Sequence, residues 1–165
     1  SCDHTSNTTN IDSLTIEFWL HPRALTAPTA LLNRGSTNND GYVVEAQDTG
    51  RVDVRTNQAA ATQLTYSATG VLVLNTWQHL VVTRKGTLVS TFRDGKEVAY
   101  GGQDSHLDPT TANRAIRLGI HTDEANYAFN GLIGRLSIYN RALNITEIKA
   151  LYGSPYNPMG APLFL

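Results

Sequence analysis

Charged side chains are scarce in this chain. Only 16% of its 165 residues are Asp, Glu, Lys or Arg, and they nearly cancel, for a formal net charge of −1. No block of Lys and Arg builds the basic face that a phosphate backbone requires, which excludes nucleic acid as a partner. Cysteine is scarcer. Cys2 stands alone, so no disulfide closes within the sequence, and that thiol can pair only with another chain. A domain of this length buries a core large enough to fold without one. Long apolar runs are missing too: none approaches the ~20 residues of a helix that crosses a bilayer, which argues against membrane insertion of that kind. The chain opens at Ser1 with no signal-peptide pattern, as a processed product or a fragment would. Its histidines, His4, His21, His79, His106 and His121, are dispersed and lack the paired spacing of a zinc site. No nucleophile elbow is present.

What the chain has in plenty is Thr, Asn and Gly, a composition that favours strands and loops over helix. The best-organised stretch is Asn75–Ala99. Trp77–Arg84 and Leu88–Arg93 read as strands joined at Lys85–Gly86, and Asp94–Gly95 then supplies the positive φ angles of a tight hairpin. Leu80 and Val82 share one face of the first strand, with Trp77, Val81 and Thr83 on the other. Apolar bulk on both faces predicts a central strand covered on both sides, so a second sheet is needed.

Before this stretch, Ser13–His21 alternates Leu14, Ile16, Phe18 and Leu20 against Thr15, Glu17 and Trp19, with Glu17 reading as a partly exposed strand residue. Strands are expected at Ala30–Asn33, Tyr42–Ala46, Arg51–Arg55 and, weakly, Leu64–Tyr66. After it, Gly101–Asn113 reads as a polar loop, and strands follow at Ala115–Ile120 and Leu132–Tyr139. One helix is well signed: Asn144 as N-cap, Glu147 completing a capping box, a Leu143–Ile148 staple and Gly153 as the stop. Residues 154–165 hold Pro155, Pro158 and Pro162 and read as an extended arm beyond a single domain over 1–153.

The segment WQHLVVTRKGTL followed by DGKEV, and GLIGRLSIYNRALNITEIKALY at Gly131–Tyr152, resemble the signatures of laminin G-like domains of the concanavalin A-like lectin/glucanase superfamily. LTIEFWLHP at Leu14–Pro22 resembles the family's first long strand. The resemblance implies an all-β fold, a two-sheet antiparallel jelly-roll sandwich with one short C-terminal helix. Glucanase relatives carry paired carboxylates on one strand, as E-x-D-x-x-E, to flank the scissile bond. No stretch here has that spacing, so the chain reads as a non-enzymatic binding module.

For ligands, Tyr42, Tyr100 and Tyr127, each beside Gly or Asn, are the candidate sugar contacts. The resemblance also makes Ca2+ a possible cofactor, with Asp40 and Asp123 as candidate loop ligands. Where the family pattern has an Asp-Glu pair, this chain has Gly134 and Arg135. The ending, Leu151-Tyr152 and then Pro155, Tyr156 and Met159, resembles bacteriophage-encoded members. It implies an arm, with Leu163 and Phe164, that docks on other protein subunits or on copies of the same chain. The first functional expectation is therefore a decoration or attachment protein on a virion surface. The alternative is an extracellular carbohydrate-binding domain that takes cell-surface or polysaccharide glycans.

Overall fold

Alternation in the first strand dictates a two-sided layer. In β1 (Ser13–Ala24), Phe18 lies opposite Leu80 of β6 (Gln78–Lys85) on one side and Leu136 of β11 (Asn130–Tyr139) on the other. Ile16 is likewise flanked by Val82 and Ile138. One face of the sheet is thereby continuously apolar. Its five strands run in the order β11-β1-β6-β7-β8, with β7 at Leu88–Arg93 and β8 at Lys96–Glu97.

This computed structural model describes residues 13–26, 28–59, 61–121 and 127–154. Cys2, His4, Asp123 and the arm from Pro155 onward, with Tyr156, Met159, Leu163 and Phe164, lie outside the described residues.

The second sheet has six strands, β10-β2-β3-β4-β5-β9, and all its pairings are antiparallel. They are β2 (Thr29–Ser36), β3 (Asp40–Ala46), β4 (Val52–Gln58), β5 (Ala61–Ser67), β9 (Tyr100–Gln103) and β10 (Arg117–Leu118). Leu32, Val44, Ala46, Val52 and Val54 meet Ile16, Phe18, Leu80 and Val82 in one buried cluster between the sheets. Burying each of the larger side chains there contributes roughly 1.5–3 kcal/mol. The result is the expected all-β, two-sheet jelly-roll sandwich with one short helix.

The helix α1 (Ile145–Tyr152) explains why the central strands are apolar on their second face. Leu143 and Ile148 pack with Val81 and Phe92 on the side of the five-stranded sheet away from the core. The helix starts as expected. The Asn144 side chain accepts from the N–H groups of Thr146 and Glu147, while Glu147 accepts from the Asn144 N–H. Such a cap contributes about 1 kcal/mol. Its end differs: Gly153 has φ −80°, so it stops the helix without the left-handed geometry glycine usually provides there.

Three expectations need revision. β1 runs past Pro22 because its pairing with β6 has ended at Leu20, so the missing proline N–H breaks no ladder on that side. The loop expected over Gly101–Asn113 begins as a strand, β9, on the edge beside β5. Gly101 and Gly102 lie against the Tyr66 ring, and a Cβ on either would come within 2.4 or 2.6 Å of ring carbons. The strand expected at Ala115–Ile120 shrinks to Arg117–Leu118. The Asp94–Gly95 turn, by contrast, has φ 50° and 74°, the geometry read from its sequence.

Candidate functional site

The face of the six-stranded sheet that points away from the core carries a dense cluster of charge. Val44, Val52 and Val54 point inward, so Glu45, Asp53 and Arg55 point outward by the two-residue period of a strand. Glu45 and Asp53 are direct cross-strand partners. Like charges so placed repel, and cations from the same face resolve the conflict. Arg55 bridges the two, bonding Glu45 through Nη1 and Asp53 through Nη2 at 3.3 Å. Arg51 grips Asp53 with two parallel bonds, Nε to Oδ1 at 2.7 Å and Nη2 to Oδ2 at 2.9 Å, and Gln47 Nε2 adds a bond of 3.0 Å. Burial lowers the pKa of Arg55, yet between two carboxylates it remains a cation.

Arg51 is fixed from a second direction. Its guanidinium carbon sits 4.6 Å from the centre of the Tyr66 ring, whose edge carbons pack against the backbone of Gly101 and Gly102. A stacked cation of this kind gains about 0.5–2 kcal/mol.

These side chains floor an open cleft of about 360 Å³. Glu45, Gln47, Arg51 and Arg55 form its sheet wall, His121 and Tyr127 face them from the connection before β11, and Pro28 and Thr37 close the rims. The rings of His121 and Tyr127 meet edge to face, with centroids 6.3 Å apart. The cleft therefore presents directed N–H donors and an aromatic pair, backed by carboxylates that do not reach solvent. Asp53 accepts four hydrogen bonds and is fully buried, which fills the lone pairs a general acid or base would need.

Of the candidate residues read from sequence, Tyr127 lines this cleft. Tyr42 does not: it is 5% exposed and belongs to the inter-sheet core, where burial raises its pKa against the pull of Arg34. Its neighbouring glycine signalled a turn, and the inward strand position decided the side chain. Tyr100 is half-buried, and its hydroxyl accepts from the Thr91 N–H at 2.8 Å and donates to Glu97 at 2.9 Å, so it ties β9 to β7. Burial is the main reason its pKa is pushed up to about 12. Asp40 caps its turn by accepting from the Ser36 N–H at 2.9 Å, and its second oxygen faces Arg114 at 3.4 Å. Among the described residues no three His, Cys, Asp or Glu side chains gather as a metal site.

Sequence reasoning passed over Glu45, Asp53, Arg51, Arg55 and His121. The run Arg51-Val-Asp-Val-Arg55 did signal a strand with one wholly charged face. That Glu45 stands opposite Asp53 depends on register, which no linear spacing displays.

Glu17, expected to be partly exposed, is fully buried under α1, away from the cleft. Its oxygens meet His79 Nε2 at 3.3 Å and the Tyr139 hydroxyl at 3.0 Å, with Arg135 at 3.7 Å. Burial pushes its pKa up, but those hydrogen bonds and the Arg135 charge outweigh burial, and the shift is downward. Trp19 and Tyr152 stack beside it, with ring centroids 6.0 Å apart. This is a structural tie between β1, β6, β11 and the helix.

A family model described as the concanavalin A-like lectin/glucanases superfamily (Laminin_G_3) matches residues 2–149. No curated protein matches the chain in sequence. Among solved structures, the CBM40 of the Ruminococcus gnavus IT-sialidase, bound to α2,3-sialyllactose, superposes with a TM-score of 0.71 and 18% identity. That match covers 88% of this chain and 85% of the other. A heptameric SAP-like pentraxin from Limulus polyphemus gives 0.64 and 13%, over 86% of this chain and 70% of that one. A putative carbohydrate-binding protein from Bacteroides ovatus gives 0.65 and 14%, over 86% of this chain but only 41% of its own length. At such identities the likeness is one of fold.

Proposed function

The chain belongs to the concanavalin A-like lectin/glucanases superfamily, and from that premise we propose that it is a non-enzymatic carbohydrate-binding module whose glycan sits in the cleft between Arg51, Arg55, His121 and Tyr127. The observation that carries this is the cleft itself. Saccharide hydroxyls need donors and acceptors fixed in direction, and the Glu45–Arg55–Asp53–Arg51 lattice fixes them without mobile side chains. Apolar C–H faces of sugar rings need an aromatic surface, and Tyr127 offers one. Two proteins of like fold support the reading by their stated ligands or descriptions: the sialyllactose-bound CBM40 and the Bacteroides ovatus protein. The Asp40 carboxylate is not part of this cleft and is held by Ser36 and Arg114.

A module of this kind works outside the cell. Carriage on the surface of a virus particle is the setting favoured by the sequence of the arm after Ser154, where a glycan-binding face would serve attachment.

A glycan panel tests the site. Wild-type protein is expected to bind at least one oligosaccharide class, and Arg55→Ala to weaken it by about tenfold or more, equivalent to ~1.4 kcal/mol. Retention of full affinity in Arg55→Ala would move the site elsewhere. Release of reducing sugar from a bound glycan would contradict the non-enzymatic reading.

A further inference from the structure

Both formal charges that the sheet offers to the cleft as cations are cancelled within the wall. Arg51 is matched by Asp53, and Arg55 by Glu45 with a second bond to Asp53. The carboxylates lie beneath, with Asp53 side-chain exposure at 0% and Glu45 at 4%, while Arg51 and Arg55 reach 32% and 20%. The ligand thus meets guanidinium edges whose charge is already neutralised.

From this compensation, and resting on the carbohydrate reading above, we infer that the cleft selects uncharged saccharides over acidic ones. An anionic sugar gains from arginine chiefly by a bidentate salt bridge. Here the Nε and Nη2 of Arg51, and both Nη atoms of Arg55, already serve carboxylates. An incoming carboxylate or sulfate would have to displace Asp53 or Glu45, or sit beside them, and either buried anion would then lose its partner or face a like charge. Sugar hydroxyls make no such demand. They take the remaining N–H directions, donate to the Thr37 hydroxyl, and leave the wall intact. The Tyr66 stack reinforces this, since a ring seated on Gly101 and Gly102 stops Arg51 from swinging out toward an anion.

Affinity should therefore respond little to salt, because a wall whose described charges cancel has little long-range attraction to screen. The test titrates the full chain calorimetrically with matched pairs, such as lactose against 3′-sialyllactose and an agarose oligomer against its sulfated counterpart. Neutral members are expected to bind at least as tightly as acidic ones, with less than about a twofold change between low and physiological salt. Asp53→Asn and, separately, Glu45→Gln each uncover one cation. Either variant should gain acidic-glycan affinity by about threefold or more, with a new salt dependence. The wild-type comparison needs neither variant, so an unfolded mutant does not shield the claim. Acidic members bound about tenfold tighter by wild type, with a steep salt dependence, would overturn the selectivity and leave the carbohydrate reading standing. Absence of binding to every member of both classes would overturn that reading and the selectivity with it.

Discussion

His106 shows how one side chain can pin the connection between β9 and β10, the two edges of the six-stranded sheet. Its Nδ1 lies 2.9 Å from the Thr56 hydroxyl and its Nε2 2.9 Å from the Thr65 hydroxyl, and the ring is fully buried. Thr56 donates onward to Gln63 at 3.2 Å, which leaves its oxygen to accept from Nδ1–H while Nε2 accepts from Thr65. Burial first, and the nearby Arg84 charge second, push its pKa from 6.5 down to about 4. The unfolded chain takes up a proton near the ordinary value while the folded chain refuses it. Its contribution is thus fully present above 6.5 and is lost as pH falls toward 4. The slope in that window is at most about 1.4 kcal/mol per pH unit. Urea unfolding at a series of pH values should show this fall, and His106→Gln should flatten it. An equal fall in the variant would assign the effect to other groups. Glu17 is separable, because its lowered carboxyl pKa acts below the ordinary 4.5.

At the scale of elements, β6 decides whether the sandwich forms. Leu80 is 0% exposed between Phe18 and the second sheet. Leu80→Asp buries an unpaired charge and should cost on the order of 4 kcal/mol or more, a large share of the roughly 5–15 kcal/mol of a typical domain. Thermal denaturation should lose its cooperative transition; a melt within a degree or two of wild type would show that the strand is not central. This element was legible because its side chains carry their own periodicity, as were β1, β11 and the Asn144 cap. β9 was not legible: Tyr100-Gly-Gly-Gln has no apolar alternation, and its place is set by the Tyr66 ring across the strand pair. The cleft was half legible. The charged face of β4 could be read from Arg51, Asp53 and Arg55, whereas its pairing with Glu45, and the approach of His121, are facts of register and crossover. Tyr42 misled for the converse reason, since a residue beside a loop glycine still obeys the inward phase of its strand.

The whole molecule has two differently dressed outer faces. The five-stranded sheet is sealed by α1 over Glu17, His79 and Trp19, while the six-stranded sheet keeps its charged face open at the cleft. Under the proposed function, that division gives stability to one side and recognition to the other. The arm beyond Ser154 adds a separable proposal. Truncation after Gly153 should leave the melting temperature and glycan affinity unchanged while abolishing association with a particle or oligomer. A truncated chain that is strongly destabilised yet still assembles would place the arm in the core instead. The most direct test of the central claim is an amide chemical-shift map recorded while the tightest-binding oligosaccharide is titrated in. The account predicts the largest shifts at Gln47, Arg51, Arg55, His121 and Tyr127, with the amides around Glu17 and α1 unmoved. Shifts concentrated at the helix-covered face, with the cleft amides silent, would contradict it.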